Sequence, residues 1–373
     1  MSGLVDIHSI CAMLAERAPA LAATLLPNGR QEGREWCVGS LAGEPGRSLK
    51  VHLEGARAGV WSDFGNSGPG SKGDALDLVA WVLFGGDKKR AVAWSRRWLG
   101  IDHADPGAIA QSRRQAAVRK ESADREEKAK RGAALRLFLS AQARIAGTAA
   151  EIYLRGRGID FARLGRQPSC LRFHPALTPA ETCRHAADGR ILWETGRAFP
   201  ALLAAITAPS DEKGGGKMVA VHRTFLERQA DGRVIKAPLA DAKMTLGRYA
   251  GGCIRLWRGA SGRAWADAQA GEELLIGEGI EDVATAVMVA PEFRACAAVS
   301  LANMGSLVLP PAIGAVRILK QNDPAMRADG APHPAAIALG RAIAHFHGQG
   351  KRVLLCTPPA AVKDINELLQ KGA

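Results

Sequence analysis

The chain has 373 residues, 47% of them hydrophobic, and a formal net charge of +13 at pH 7. This apolar content is ample for packed cores and indicates two or three domains. No apolar run approaches the ~20 residues of a membrane-spanning helix, and the first residues lack the apolar core of a signal peptide, so we expect a cytoplasmic protein. The basic charge favours a polyanionic partner such as nucleic acid, although an arginine-rich proteome would give the same charge.

Residues 1–104 are predicted to form a small α+β module. The pattern gives a helix over 6–24 that starts at Asp6, then short strands, then two helices, the second ended by Gly100. The predicted strands are Glu35–Ser40, Ser48–Leu53 and Gly59–Phe64, and the two helices begin at Asp74 and Asp87. The seven cysteines are scattered and form no CxxC pair, so no zinc site or disulfide framework is predicted.

Residues 105–145 are highly charged and are predicted to be a linker helix. Acid-first pairs four residues apart, such as Glu121 with Arg125, stabilise an exposed helix. A solvated face is the better interpretation of these charges than a nucleic-acid site.

Residues 146–268 are predicted to be a second α+β domain, with strands at Leu171–His174, Ala201–Ile206, Met218–Leu226 and Cys253–Leu256. Four cations lie within or after these strands, and they indicate a cleft for polyphosphate or nucleic acid, or else ordinary strand-face and surface charges. These cations are Arg223, Lys236, Lys243 and Arg248. The run Gly214–Lys217 lacks the spacing of a phosphate-binding loop and is predicted to be a hairpin turn.

Residues 269–373 alternate short apolar runs with helical patterns, which predicts a parallel sheet flanked by helices. Three of the strands end near a carboxylate, namely Glu278, Asp323 and Asp364. Because the carboxyl ends of parallel strands share one sheet edge, we expect these acids to lie together. Clusters of carboxylate oxygens suit Mg²⁺ or Mn²⁺, which bind phosphate oxygens in turn.

Several motifs, in this order, resemble the Toprim-containing primase-like proteins of phages, plasmids and integrated elements. They are AVHRTFLE at 220–227, the run at 235–256, EGIEDVATA at 278–286, AVSLANMGSLVLP at 298–310 and KDINELL at 363–369. The resemblance implies an α/β fold in which a primase-core subdomain (146–268) precedes a Toprim domain (269–373).

The same resemblance implies roles for individual residues. The catalytic residues would be Glu278 and Asp323. Glu278 would be the general acid or base, or would bind the metal, and Asp323 and Asp364 would hold the metal. Lys320 and Lys363 would offset phosphate charge, although each is otherwise a plain surface lysine. Asp282, one helical turn from Glu278, is a secondary acid or a helix-stabilising charge.

The N-terminal module resembles the zinc-binding module of primases, in the run WSDFGNSGPGSKGDALDLVAW at 61–81. The zinc ligands are missing, because only Cys37 and His52 lie in the strands of the module and two side chains cannot form a four-ligand site. We therefore interpret the module as a zinc-free relic rather than an unrelated α/β domain. Its cations could contact template phosphates, or be solvated surface charges: Arg47, Lys50, Arg57, Lys72, Lys88, Lys89 and Arg90.

One position departs from the family. Relatives place Asp-x-Asp after the third strand, whereas this chain has Gln321-Asn322-Asp323, so one charge is absent and metal affinity should fall.

Three functions therefore remain open. The first is a primase that makes RNA primers on single-stranded DNA from ribonucleoside triphosphates, with a separate replicative helicase as a further partner. The second is a Toprim nuclease, and the third is a catalytically weakened DNA-binding replication protein.

Overall fold

The computed structural model describes residues 6–66, 69–101, 106–179, 182–185, 191–194, 196–209, 216–327, 330 and 332–371. The chain divides into two compact units, Met1–Glu126 and Glu127–Ala373. Within the described ranges, no helix is both long enough and apolar enough to cross a membrane.

The first unit packs helices against a small antiparallel sheet. Its elements are α1 (Ile7–Glu16), α2 (Ala18–Leu25), β1 (Arg30–Glu32), β2 (Glu35–Val38), β3 (Leu49–His52), β4 (Trp61–Asp63), β5 (Lys72–Gly73), α3 (Ala75–Phe84) and α4 (Lys88–Leu99). The strands pair in chain order, and Trp61 and Leu49 of the sheet are fully buried with Leu14 and Leu78 of the helices. The single helix predicted over 6–24 is in fact two, because α1 ends at Glu16, with Arg17 as its C-cap, and Pro19 occupies the first turn of α2.

A long helix leads into the second unit, which begins with a mainly antiparallel sheet. The elements are α5 (Pro106–Ser140), α6 (Ala149–Arg155), β6 (Leu171–Leu177), β7 (Thr182–His185), β8 (Ile191–Glu194), β9 (Phe199–Pro209), β10 (Gly216–Arg228), β11 (Val234–Lys236) and β12 (Lys243–Gly247). The sheet order is β11-β10-β9-β6, with β12 also pairing with β10, while β7 and β8 form a separate hairpin. The GGGK run at 214–217, predicted as a turn, lies partly outside the described residues.

The C-terminal part holds the predicted parallel sheet. Its elements are β13 (Ile254–Arg258), β14 (Glu272–Gly277), α7 (Ile280–Val289), β15 (Arg294–Ala297), α8 (Leu301–Met304), β16 (Ile313–Leu319), α9 (Pro334–Gly348), β17 (Arg352–Cys356) and α10 (Ile365–Lys371). The order is β13-β15-β14-β16-β17, and all pairs are parallel except β13 with β15. The predicted α/β fold class is confirmed.

Two local predictions are wrong. The strand predicted at Cys253–Leu256 is expected in the preceding domain, yet Ile254–Arg258 pairs antiparallel with β15 and forms an edge of the C-terminal sheet. Its apolar residues Ile254 and Leu256 are buried in a core shared with α7, which local sequence cannot reveal. The run Leu301–Leu309 was predicted to be a loop, but it opens with the short helix α8, capped by the Ser300 hydroxyl.

Candidate functional site

Glu278 lies at the carboxyl end of the central strand β14. Leu274, Leu275 and Ile276 are buried in this strand, and the chain then turns into α7. A Cβ at Gly277 would stand only 2.9 Å from Val283 Cγ2, so glycine is needed where the strand meets the helix. The backbone N–H of Val299 donates to the Glu278 carbonyl oxygen at 3.0 Å, which fixes this turn against the end of β15.

Val299 has a backbone conformation that its side chain disfavours. Its φ is +73°, in the left-handed region where a β-branched residue is a clear outlier. Such strain costs about 1–3 kcal/mol and is typically retained at functional sites. Sequence reasoning missed Val299, because nothing in the run AVSLAN marks a left-handed residue.

Glu278 and Asp323 are electrostatic neighbours. Burial, and then the negative charge of Asp323, raise the pKa of Glu278 above its usual value. Both residues line a cavity of about 260 Å³, together with Lys320 and Gln321. Glu278 and Asp323, two of the three acids expected together at the sheet edge, thus line one cavity, and Asp364 does not line it.

Asp282 and Asp364 are a second pair of interacting acids, and they line one cavity with Glu278 and Gln321. The Gln321 side-chain amide donates to Asp282 Oδ2 at 3.0 Å. Burial, and then the charge of Asp364, raise the pKa of Asp282. In the described part of the chain, no three acidic, histidine or cysteine side chains converge on one point. The strongest charge interactions are those of Glu278 with Asp323 and of Asp282 with Asp364, and the neutral amide of Gln321 donates to Asp282.

Glu281 of α7 forms ion pairs with Lys236 and Lys243 of the preceding sheet. Its side chain is only 8% exposed and accepts hydrogen bonds from Lys243 Nζ at 2.9 Å and from the Tyr153 hydroxyl at 2.8 Å. Lys236 Nζ lies 3.7 Å from the same carboxylate. Burial alone would raise the pKa of Glu281, but Lys243 and Lys236 outweigh it and lower the pKa to about 2. Sequence reasoning missed Glu281 and Tyr153, since an acid in a first helical turn is ordinarily exposed.

A cavity of about 290 Å³ opens beside these residues and carries both signs of charge. Its acids are Glu278, Glu281, Asp282 and Asp364, and its cations are Arg157, Lys236, Lys243 and Lys363. His222 also lines it, and burial, followed by the charge of Lys243, lowers the pKa of His222 to about 4. His222 is therefore neutral near pH 7, and the four cations are the groups suited to an anionic ligand.

The structure separates the predicted basic residues into two sets. Lys236, Lys243 and Lys363 line the larger cavity and Lys320 the smaller one. Arg223 and Arg248 line neither. The Arg223 guanidinium lies 5.7 Å from the ring centroid of Phe225, and exposed Arg248 pairs with Glu127 at 3.2 Å.

The chemistry of these acids suits a divalent cation. All are hard oxygen donors, and burial, followed by a neighbouring acid, raises the pKa of both Glu278 and Asp282. Magnesium is commonly held by one or two carboxylates, with water and substrate phosphates completing the shell. The residues therefore fit a cation that shares its ligands with a phosphate, rather than one enclosed by protein.

Comparison with protein families identifies the C-terminal part. Residues 273–373 match the Toprim domain, and residues 128–256 match a family described as a domain of unknown function (DUF7146). No curated protein matches the chain significantly in sequence.

Two solved structures from bacteriophage T7 show weak likeness. The primase fragment of the T7 primase-helicase protein aligns with a TM-score of 0.31 and 14% identity, over 59% of this chain and 70% of that one. A complex in which T7 lagging-strand DNA polymerase interacts with primase domains bound to an RNA/DNA hybrid and dTTP aligns with a TM-score of 0.26 and 14% identity, over 47% and 72%. The matched residues 273–373 coincide with the parallel sheet that presents Glu278, so this part of the chain is a Toprim domain.

Proposed function

We propose that the protein is a primase-like nucleotidyltransferase, which joins ribonucleoside triphosphates on single-stranded DNA with Mg²⁺ or Mn²⁺ as the metal. The observation that carries this proposal is the larger cavity, in which Glu278 of the Toprim domain faces Lys236 and Lys243 of the preceding sheet. A triphosphate needs cations along its length and acids at the reacting phosphorus, where they hold a metal. This cavity has both.

Glu278 has the properties of a proton acceptor in this reaction. Its raised pKa brings the carboxylate closer to the operating pH, which improves a general base. It would take the proton of the attacking 3′-hydroxyl. Lys243 and Lys236 would bind phosphate oxygens. Each ion pair with Glu281 would then weaken, because the lysine would also interact with the phosphate.

Glu278 with Asp323, and Asp364 with Asp282, are the residues that would hold the cation. When bound, a divalent cation neutralises charge on the phosphates and on the leaving pyrophosphate. The protein's own contribution is to fix the carboxylates at the sheet edge and to keep Lys243 in place through Glu281.

A catalytically weakened DNA-binding protein is the second candidate. Gln321 favours it, because the neutral amide replaces a family carboxylate and donates to Asp282 instead of offering a charge. A Toprim nuclease is the third possibility, and it differs in its product.

The experiment incubates the full chain with single-stranded DNA, labelled ribonucleotides and Mg²⁺ or Mn²⁺. Oligonucleotide products support the proposal, template cleavage supports a nuclease, and binding without chemistry supports the second candidate. Glu278→Gln should abolish the product, whereas the matched control Glu292→Gln, at an exposed position, should not. Synthesis that survives Glu278→Gln would show that the activity does not arise at this site.

A further inference from the structure

Asn366 is a fully buried amide in the first turn of α10, within the KDINELL motif at 363–369. Its side-chain Nδ2 donates to the Arg157 carbonyl oxygen at 2.9 Å and to the Thr285 hydroxyl at 2.8 Å. Its backbone N–H donates to Asp282 Oδ1 at 3.4 Å. One residue therefore connects α10 both with α7 and with the turn that follows α6.

The connected segments carry charged groups of the larger cavity. Arg157 comes from the turn after α6, and Asp282 comes from α7. Lys363 and Asp364 come from the residues just before α10. Asn366 has no exposed surface, so it cannot touch a ligand in this cavity. Any effect that it has on a ligand must pass through the groups that it holds.

The cavity cation Arg157 is held through its backbone. Its guanidinium lies 5.9 Å from the ring centroid of Tyr153, and its Nε is buried without a hydrogen-bond partner among the residues that the structure describes. Within the same residues, no carboxylate forms a salt bridge with it. Because no ion pair fixes the side chain, its position follows from its backbone, which the Asn366 amide holds at the carbonyl oxygen.

Apolar contacts bring α10 to the same turn. Leu369 packs on Gly158, where an added Cβ would lie 2.8 Å from Leu369 Cδ2 and where a φ of +76° also favours glycine. Ile365 packs against the core that α6 and α7 share. Apolar packing is non-directional, whereas hydrogen bonds weaken steeply when they bend. The Asn366 amide therefore fixes the orientation of the turn on α10.

We propose that Asn366 is a positioning residue, which sets the places of Arg157 and Asp282 on the walls of the larger cavity. The proposed function supplies the natural ligand, a triphosphate, and to that extent the inference rests on it. The placement itself does not, because an arginine held in this way would serve any polyphosphate. A displacement of about 1 Å can lower a rate about a hundred-fold, so loss of the amide should impair nucleotidyl transfer.

The first test asks whether Asn366 holds the turn, and it needs no ligand. The amides of Arg157, Gly158 and Ile159 donate within the turn, so their hydrogen exchange reports its opening. In the full chain, Asn366→Ala should accelerate this exchange about ten-fold, as expected for the loss of a buried hydrogen bond.

Asn303→Ala is the matched control for exchange. The Asn303 amide also bonds to backbone groups, but it lies in α8, which packs against α9. Exchange of the turn at 157–159 should be unchanged in this variant. Equal acceleration in both variants, or none in Asn366→Ala, would overturn the proposal.

The second test measures the affinity of the full chain for inorganic tripolyphosphate in EDTA, by calorimetry. Asn366→Ala and Arg157→Gln should each weaken binding about ten-fold, the effect of losing one charge-assisted hydrogen bond. If Asn366 acts through Arg157, the double variant should bind no more weakly than Arg157→Gln alone. Additive losses would overturn the proposal.

Thr285→Val separates positioning from stability. It removes one acceptor of the Asn366 amide and leaves the bond to Arg157, so it should lower stability without changing tripolyphosphate affinity. A loss of affinity equal to that of Asn366→Ala would contradict positioning through Arg157.

The two tests also separate this proposal from the proposed function. If the parent does not bind tripolyphosphate, the proposed function of the cavity fails, and the exchange measurement alone decides whether Asn366 holds the turn. If the parent binds tripolyphosphate and Asn366→Ala binds it equally well, the positioning role is refuted while the proposed function stands.

Discussion

Gln321→Asp restores the charge that the family pattern places after the third strand of the Toprim sheet. In the parent, the Gln321 amide donates to Asp282 at 3.0 Å. A carboxylate there cannot donate, so the variant forfeits a hydrogen bond to a charged group, worth about 1.5–3 kcal/mol. Two like charges about 4 Å apart in a half-buried site repel by about 4 kcal/mol at an effective dielectric constant near 20.

The metal-free variant should therefore unfold at a lower temperature than the parent, and a bound cation should reverse the loss. Each 1.4 kcal/mol is a factor of ten in affinity. If the bound cation relieves only a third of the repulsion between the two carboxylates, the variant binds the cation about ten-fold more tightly than the parent. We expect at least that gain for Mn²⁺, measured by electron paramagnetic resonance of the free ion, and a larger rise in melting temperature with Mg²⁺ than the parent shows.

Gln321→Asn is the control, because it shortens the side chain without adding charge and should bind Mn²⁺ as the parent does. The reasoning is refuted if Gln321→Asp binds Mn²⁺ no more tightly than the parent. It is refuted equally if the variant is destabilised to the same extent with and without the ion.

Three other variants test interactions around the cavity. Glu281→Gln leaves the half-buried Lys243 and Lys236 without their anion. Chemical denaturation should therefore show a free energy of unfolding lower by about 3 kcal/mol. An unchanged denaturation midpoint would mean that solvent hydrates the two lysines. The pKa of His222 is about 4 in the fold, against an ordinary value of 6.5. The neutral imidazole therefore contributes about 3 kcal/mol to the free energy of unfolding above pH 6.5, and this contribution is lost as the pH falls towards 4. In His222→Gln, the dependence of the free energy of unfolding on pH should be weaker between pH 6.5 and 4, and an unchanged dependence would contradict the lowered pKa. Asn303→Ala removes three hydrogen bonds: one from Gly251 N–H at 2.9 Å, one to the Gly252 carbonyl at 2.9 Å and one to the Ala298 carbonyl at 2.7 Å. Thermal unfolding should show a free energy of unfolding lower by about 3 kcal/mol. A loss below about 1 kcal/mol would indicate that water replaces the amide.

The parallel sheet and its acidic edge were predictable because they depend on local pattern. Buried runs such as Leu274–Ile276, each followed by glycine or an acid, predict strands whose ends meet at one edge. Glu278 and Asp323 are neighbours for that reason.

Interactions that depend on tertiary structure were not predictable. Glu281 is buried because Tyr153, Lys236 and Lys243 meet it from distant parts of the chain, and no spacing connects them. In the sequence, the amide of Gln321 is a missing metal ligand, whereas in the fold it donates a hydrogen bond to Asp282.

The antiparallel strand Ile254–Arg258 has a consequence for how this protein is divided in the laboratory. It precedes the matched Toprim residues 273–373, yet it covers the outer edge of β15. A fragment cut at residue 273 would leave the backbone donors and acceptors of that edge open to pairing with other molecules, and such edges promote aggregation. A fragment that begins before Ile254 retains its own edge strand, so the boundary of a stable Toprim fragment lies upstream of the boundary that the family match suggests.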